Sequence, residues 1–113
     1  MLSAKNNYTM LIFVDIDETI CHYLSEDKSK PRDYNNAIPY PERIERINKL
    51  HAEGHTIVYW TARGSVTQIN WFQLTHAQLT LWGAKFHELR MGKPAYDLFI
   101  DDKNMEAVTY FSN

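Results

Sequence analysis

At 113 residues the chain has room for one domain and one hydrophobic core. Its formal net charge of −2 gives no electrostatic case for nucleic acid or an anionic membrane as the main partner. The single cysteine, Cys21, excludes a disulfide framework and a zinc site built from cysteines. The polar start from Met1 to Tyr8 does not read as a secretory signal, and no apolar run nears the ~20 residues that cross a bilayer, so a cytoplasmic location is expected.

The elements follow in chain order. Met10 to Val14 is an apolar run and reads as a buried strand. It runs straight into Asp15-Ile16-Asp17-Glu18-Thr19. A polar, irregular stretch comes next, at about 20–40, with Glu26 to Asp33 alternating in charge at its centre. It is long for a plain connection and reads as a flap or specificity loop beside a site. Pro41 and Glu42 open a helix, and Ile44, Ile47 and Leu50 form its apolar stripe, with Gly54 just beyond its end. Thr56 to Trp60 is β-branched and aromatic and predicts the next strand, which ends at Thr61-Ala62-Arg63-Gly64.

Ser65 with Gln68 resembles a capping box, which predicts a helix from about Val66 to Trp82 with Ile69, Phe72, Leu79 and Trp82 inward. Phe86 to Arg90 predicts a short strand and Gly92-Lys93-Pro94 a turn. Tyr96 to Ile100 predicts a further strand, which ends in Asp101-Asp102, and the tail from Met105 to Phe111 a closing helix. Strands alternating with helices predict an α/β fold: a central parallel sheet with helices on both faces, a three-layer sandwich, as one domain over 1–113.

In a parallel sheet the strand C-termini share one edge, where ligands bind. Asp15, Asp17, Thr19, Thr61, Arg63, Lys93, Asp101 and Asp102 are therefore expected in one pocket. Four carboxylates there repel one another and call for a cation; oxygen ligands favour Mg²⁺ shared with a substrate phosphate. A carboxylate attacks a phosphate dianion poorly until Mg²⁺ and a Lys remove the repulsion, after which an aspartyl-phosphate can form. The Thr19 and Thr61 hydroxyls suit phosphoryl oxygens, and Lys93 balances charge. Arg63 suits either a substrate anion or a nearby acid. The histidines, His22, His51, His55, His76 and His87, show no metal-ligand spacing.

Asp15-x-Asp17-x-Thr19 after a strand, a strand-end Thr61, Lys93, and a strand ending in Asp101-Asp102 come in the order of the four motifs of haloacid-dehalogenase-like (HAD) phosphotransferases, and the chain resembles that superfamily over most of its length. The resemblance implies Asp15 as nucleophile and metal ligand. It implies Asp17 as general acid and then base, with its backbone carbonyl on the metal. Asp101 and Asp102 would hold Mg²⁺, Thr61 and Lys93 would act on the phosphoryl group, and Thr19, Ala62 and Arg63 would lie against substrate. An acid working near neutrality needs a raised pKa, which neighbouring carboxylates favour. An acid at position 17 looks like a phosphatase or phosphomutase. Neither Thr19–Thr61 nor Thr61–Lys93 has space for a cap domain, so this looks like a capless member. The Thr61–Gly64 and Gly92–Asp97 segments are similar to those of small bacterial phosphatases of capsule and surface-sugar synthesis.

The expected activity is thus Mg²⁺-dependent phosphomonoester hydrolysis of a sugar phosphate or related small metabolite. The alternatives are a polynucleotide or nucleotide phosphatase, since an uncapped site admits large substrates, and a receiver-like phosphoacceptor domain. Receivers place the acidic pair first, whereas here Asp-x-Asp comes first. Exposed aromatics and the missing cap favour a homo-oligomer.

Overall fold

Leu11–Val14 forms β1, Cys21–His22 β2, Ile38–Pro39 β3, Pro41–Ala52 α1, Thr56–Trp60 β4, Phe72–Leu81 α2, Glu88–Arg90 β5 and Ala107–Phe111 α3. The computed structural model describes residues 8–24 and 27–112. The polar start at 1–7 and Glu26 of the flap's charge run lie outside them.

β1, β4 and β5 make a parallel sheet in the order β1-β4-β5. Val14 pairs with Tyr59 and Trp60 with Arg90, so β1 and β4 deliver Asp15 and Thr61 to the same end of the sheet. Gly54, with φ of +98°, makes the tight turn from α1 into β4, a conformation that costs a residue with a Cβ. β2 and β3 form a small antiparallel pair at the base of the flap, where the His22 and Tyr40 rings stack at 4.4 Å.

Two successive crossovers in one direction across a sheet put both helices on one face if each is right-handed. The burial agrees. Ile44, Ile47 and Leu50 of α1 and Leu79 of α2 join Val14, Ile57, Tyr59 and Leu89 in one core cluster. Leu11 and Phe13 alternate onto the opposite face and are exposed. The expected helices on both faces are therefore not found among the described residues. α3 lies against α1, with the Arg43 guanidinium 4.8 Å from the Phe111 ring and Arg46 4.9 Å from Tyr110.

Two further expectations need correction. The predicted helix from Val66 begins only at Phe72. Ser65 Oγ donates to the Lys93 carbonyl instead of capping, and Gln68 sits at φ +64°, which no helix accommodates. The predicted strand at Tyr96–Ile100 is not formed: the segment is irregular, with a bend at Asp97, pairs with no strand among the described residues, and is exposed. No helix among the described residues is long and apolar enough to cross a membrane.

Candidate active site

The loop after β1 is held by what lies under it. Ile16 and Ile20 are fully buried, and the Ile16 carbonyl accepts the amides of Thr19 at 3.1 Å and Ile20 at 2.9 Å. Glu18 takes the left-handed conformation, with φ of 60°, while its amide donates to the Cys21 carbonyl at 2.9 Å. Strain of that kind persists where surrounding bonds over-determine it.

Asp15 stands at the mouth of the site. Lys93 Nζ lies 3.5 Å from its Oδ1, and the Thr19 hydroxyl donates to its Oδ2 at 3.5 Å. Burial raises the Asp15 pKa above the usual carboxylate value, against the pull of Lys93. Lys93 is placed by its own backbone: its amide donates to the Thr61 carbonyl at 3.0 Å and its carbonyl accepts Ser65 Oγ at 2.7 Å. Thr61 is buried, and its hydroxyl accepts the Arg63 amide at 3.1 Å, which leaves the hydroxyl proton for another acceptor.

Asp17 points the other way, into the protein. Arg63 grips it with two parallel hydrogen bonds, Nε to Oδ2 at 3.0 Å and Nη2 to Oδ1 at 2.9 Å. The Tyr23 hydroxyl donates to Oδ1 at 2.5 Å and Cys21 Sγ approaches the same oxygen at 3.4 Å. Burial alone would raise the Asp17 pKa, but the Arg63 hydrogen bonds and charge outweigh it and hold the carboxyl below its usual range. The raised pKa expected of Asp17 is therefore corrected: the nearest charge is a cation, not a carboxylate. Burial, and then the Asp17 charge, push the Cys21 thiol up to about 12.

Arg63 is itself fully buried. Its remaining Nη1 donates to Thr75 Oγ1 at 3.1 Å and Gln78 Oε1 at 2.6 Å, and its guanidinium lies 4.8 Å from the Tyr34 ring centre. Gln78 Nε2 donates on to the Tyr34 carbonyl at 2.7 Å, so one arginine ties the flap, α2 and Asp17 together. Tyr23, Thr75 and Gln78 were not singled out from the sequence as partners of Asp17. A signal existed for two of them: Thr75 and Gln78, three apart on the face that buries Leu79, are polar residues that burial penalises unless they meet a partner.

Asp15, Asp17, Thr19, Thr61, Arg63 and Lys93 are thus brought together, with Ala62 between Thr61 and Arg63. Asp101 and Asp102 are not. Both are exposed. Asp101 Oδ1 accepts the amides of Lys103 and Asn104 in a tight turn, and Asp102 pairs with Lys103 in solvent at 2.9 Å. The reason is the missing strand, which leaves the pair without a sheet edge to carry it. Among the described residues no three His, Cys, Asp or Glu side chains are grouped to hold a metal.

A cleft of about 460 Å³ opens beside Lys93 and is lined by Arg63, Ser65, Gln68, Asn70, Trp71 and Gly92, among others. Trp71 of this lining meets Tyr34 of the flap edge-on, with ring centres 5.2 Å apart.

No family model matches the chain, and no curated protein matches it. Among solved structures it is similar to a structural-genomics target from Vibrio cholerae known from its crystal structure, with 24% identity and a TM-score of 0.72 over 93% of this chain and 88% of that one. This likeness shows the fold alone: a Rossmann-like α/β unit around a parallel sheet.

Proposed function

We propose that the chain is a phosphomonoester hydrolase that works through an aspartyl-phosphate on Asp15, with a sugar phosphate or related small metabolite as substrate. The observation that carries this reading is the pairing of Asp15 with Lys93 Nζ and the Thr19 hydroxyl, each at 3.5 Å, at the C-terminal end of β1. A carboxylate there is fixed, partly desolvated and next to a cation, as attack on a phosphate dianion requires. The motif order supports membership of the HAD-like phosphatases, with their three-layer sandwich as the finer form of the fold.

An Asp15 oxygen attacks phosphorus, the bond from phosphorus to the leaving oxygen breaks, and that oxygen takes up a proton. Lys93 offsets the negative charge on both reactants. Water then attacks the aspartyl-phosphate, phosphate departs and Asp15 is restored. Asp17 is held ionised but turned toward Arg63; in this reading its carboxylate swings toward Asp15 to take the proton from that water, and the proton so gained is the one the next leaving group needs. Arg63 does not face the substrate in this reading; it sets where Asp17 points.

Mg²⁺ commonly binds through one or two carboxylates and keeps several waters and substrate oxygens. Asp15 and the Asp17 backbone carbonyl are oxygen donors of that kind, and Asp101 and Asp102 would join them only where their segment lies beside β1. When bound, the ion supplies further neutralisation of the phosphate charge.

The test is phosphate release from sugar phosphates, nucleotides and a 3′-phosphorylated oligonucleotide, with Mg²⁺ or with EDTA. Mg²⁺-dependent turnover of sugar phosphates supports the reading. Preference for the oligonucleotide replaces its substrate class. A stable phosphoryl adduct on Asp15 without turnover replaces it with the phosphoacceptor reading.

A further inference from the structure

Two features away from the pocket are complementary, and neither finds a partner strand among the described residues. The first is the outer edge of β1. Among the described residues β1 pairs with β4 on one side only, and Leu11 and Phe13 are 65% and 42% exposed. The second is the segment at 94–106, which leaves the sheet after Lys93 and returns at α3. Within it Leu98 and Ile100 are 74% and 85% exposed and lie in no strand among the described residues. An open edge and an apolar strand-former in one molecule are an association hazard unless something pairs them.

Their sequences match. Leu11-Ile12-Phe13-Val14-Asp15 and Asp97-Leu98-Phe99-Ile100-Asp101 both close an apolar run on an acid. Laid parallel with Asp101 level with Asp15, the second run sets Phe99 beside Phe13 and Ile100 beside Val14.

We propose that two copies of this chain exchange the segment at 94–106, so that Leu98–Ile100 of each adds as a fourth parallel strand to β1 of the other and carries Asp101 and Asp102 to the other copy's Asp15. Both ends of the segment are anchored in their own chain. Lys93 is held by Thr61, Ser65 and Asp15 at one end, and Phe111 and Tyr110 by Arg43 and Arg46 at the other. With both anchors engaged, the middle stands in solvent, and no strand among the described residues lies on the outer edge of its own β1. Exchange about a two-fold axis leaves the anchors in place and fills two edges with two strands at once, the self-complementary arrangement of a closed dimer. The delivery of Asp101 and Asp102 to a working site rests on the phosphatase reading; the exchange itself does not.

The test is a cross-link between Leu11→Cys and Asp97→Cys, exposed positions level with each other in that register. The native Cys21 is buried and its thiol pKa is raised, so it does not compete. Chains carrying one substitution each are mixed and treated with a short bis-maleimide. A covalent dimer on a denaturing gel, with a dimer mass by light scattering, is the expected result. Ile100→Asp is expected to reduce that mass to one chain without changing the circular dichroism spectrum. Cross-linking confined to single chains when Leu11→Cys and Asp97→Cys are placed in one chain, or a wild-type mass of one chain at all concentrations, would overturn the proposal. Co-expressed Asp15→Asn and Asp101→Asn chains, each inactive alone, should regain about a quarter of wild-type activity, because half of randomly formed dimers are mixed and each holds one intact site. If the wild type turns nothing over, the phosphatase reading fails and the cross-link still decides the exchange.

Discussion

Leu11–Val14 and Leu98–Ile100 carry the same signature and reach opposite ends. The first finds β4, buries Val14 and fixes Asp15 against Lys93. The second finds no strand among the described residues, stays exposed, and leaves Asp101 closing a turn. Strand propensity states that a segment fits a pleated, half-covered surface; it does not name the surface. β1 has a partner because α1 crosses back over the sheet and returns β4 to its side. The run at 98–100 has none because its anchors lie at Lys93 and α3.

Chemistry is where the two acidic ends should differ most sharply. Asp15→Asn removes the nucleophile and is expected to lower phosphate release at least about 1,000-fold, as loss of a nucleophile does in enzymes whose residues act as a unit. Turnover near the wild-type rate in this variant would remove Asp15 from the mechanism.

Stability separates the buried end from the exposed one. Arg63→Met leaves Asp17 charged without its partner and strands Thr75 and Gln78. It should cost about 3–5 kcal/mol in urea unfolding, the usual scale for breaking one side of a buried pair. A loss under about 1 kcal/mol would mean that Asp17 simply turns to water. In the core, Ile57→Ala should cost about 2–5 kcal/mol. Ile100→Ala, measured at dilution, should change the chain's own unfolding by no more than about 0.5 kcal/mol. Equal losses at the two positions would show that the segment at 98–100 packs within its own chain.

Much of this fold is legible in the sequence, for physical reasons that stop at a definable point. The stripe Ile44, Ile47 and Leu50 and the run Thr56–Trp60 are periodic signals that only one kind of element satisfies, and both stand where expected. Phe86–Arg90 shrinks to Glu88–Arg90, which the structure pairs with β4. The start of α2 is not legible, because Ser65 and Gln68 carry a capping pattern that a tertiary contact, Ser65 to the Lys93 carbonyl, overrides. In the site, the loop residues from Asp15 to Thr19 and the approach of Lys93 follow from strand order. The aim of Asp17 does not, since it depends on Arg63 entering from a loop 46 residues later. Asp101 and Asp102 mark the same limit: their acidity is written locally, their location is not.

Gly64 tests the loop that places Arg63. Its φ is +81°, and a Cβ built on it would stand 2.1 Å from the Ile69 carbonyl oxygen. Gly64→Ala should cost about 2 kcal/mol or more, the left-handed penalty of about 1–2 kcal/mol plus the clash with a backbone atom. The same change at Gly83, where a Cβ meets nothing within 4 Å, should cost only the first part. Thermal unfolding of the two variants side by side checks the difference.

The smallest expected effect turns the comparison inward, to two acids two residues apart. The Asp17 pKa is depressed in the folded chain, so its contribution to stability is present above the unfolded value of about 3.9 and is lost as the pH falls through the folded value. Asp15 is raised, so its contribution is present below the unfolded value and is lost as the pH rises through the folded one. At pH 7 in EDTA, Asp17→Asn should therefore lower the melting temperature and flatten the acid limb of the stability curve. Asp15→Asn should raise the melting temperature at pH 7 and lose that advantage in acid, because a neutral amide avoids the cost of burying the charge. The stability gained is the counterpart of the chemistry lost, as at sites where a charge is held against its own solvation. A melting temperature that falls at pH 7 in Asp15→Asn would show that the Lys93 pair outweighs the burial, and would place Lys93 as a structural partner of Asp15 as well as a neighbour of the phosphate.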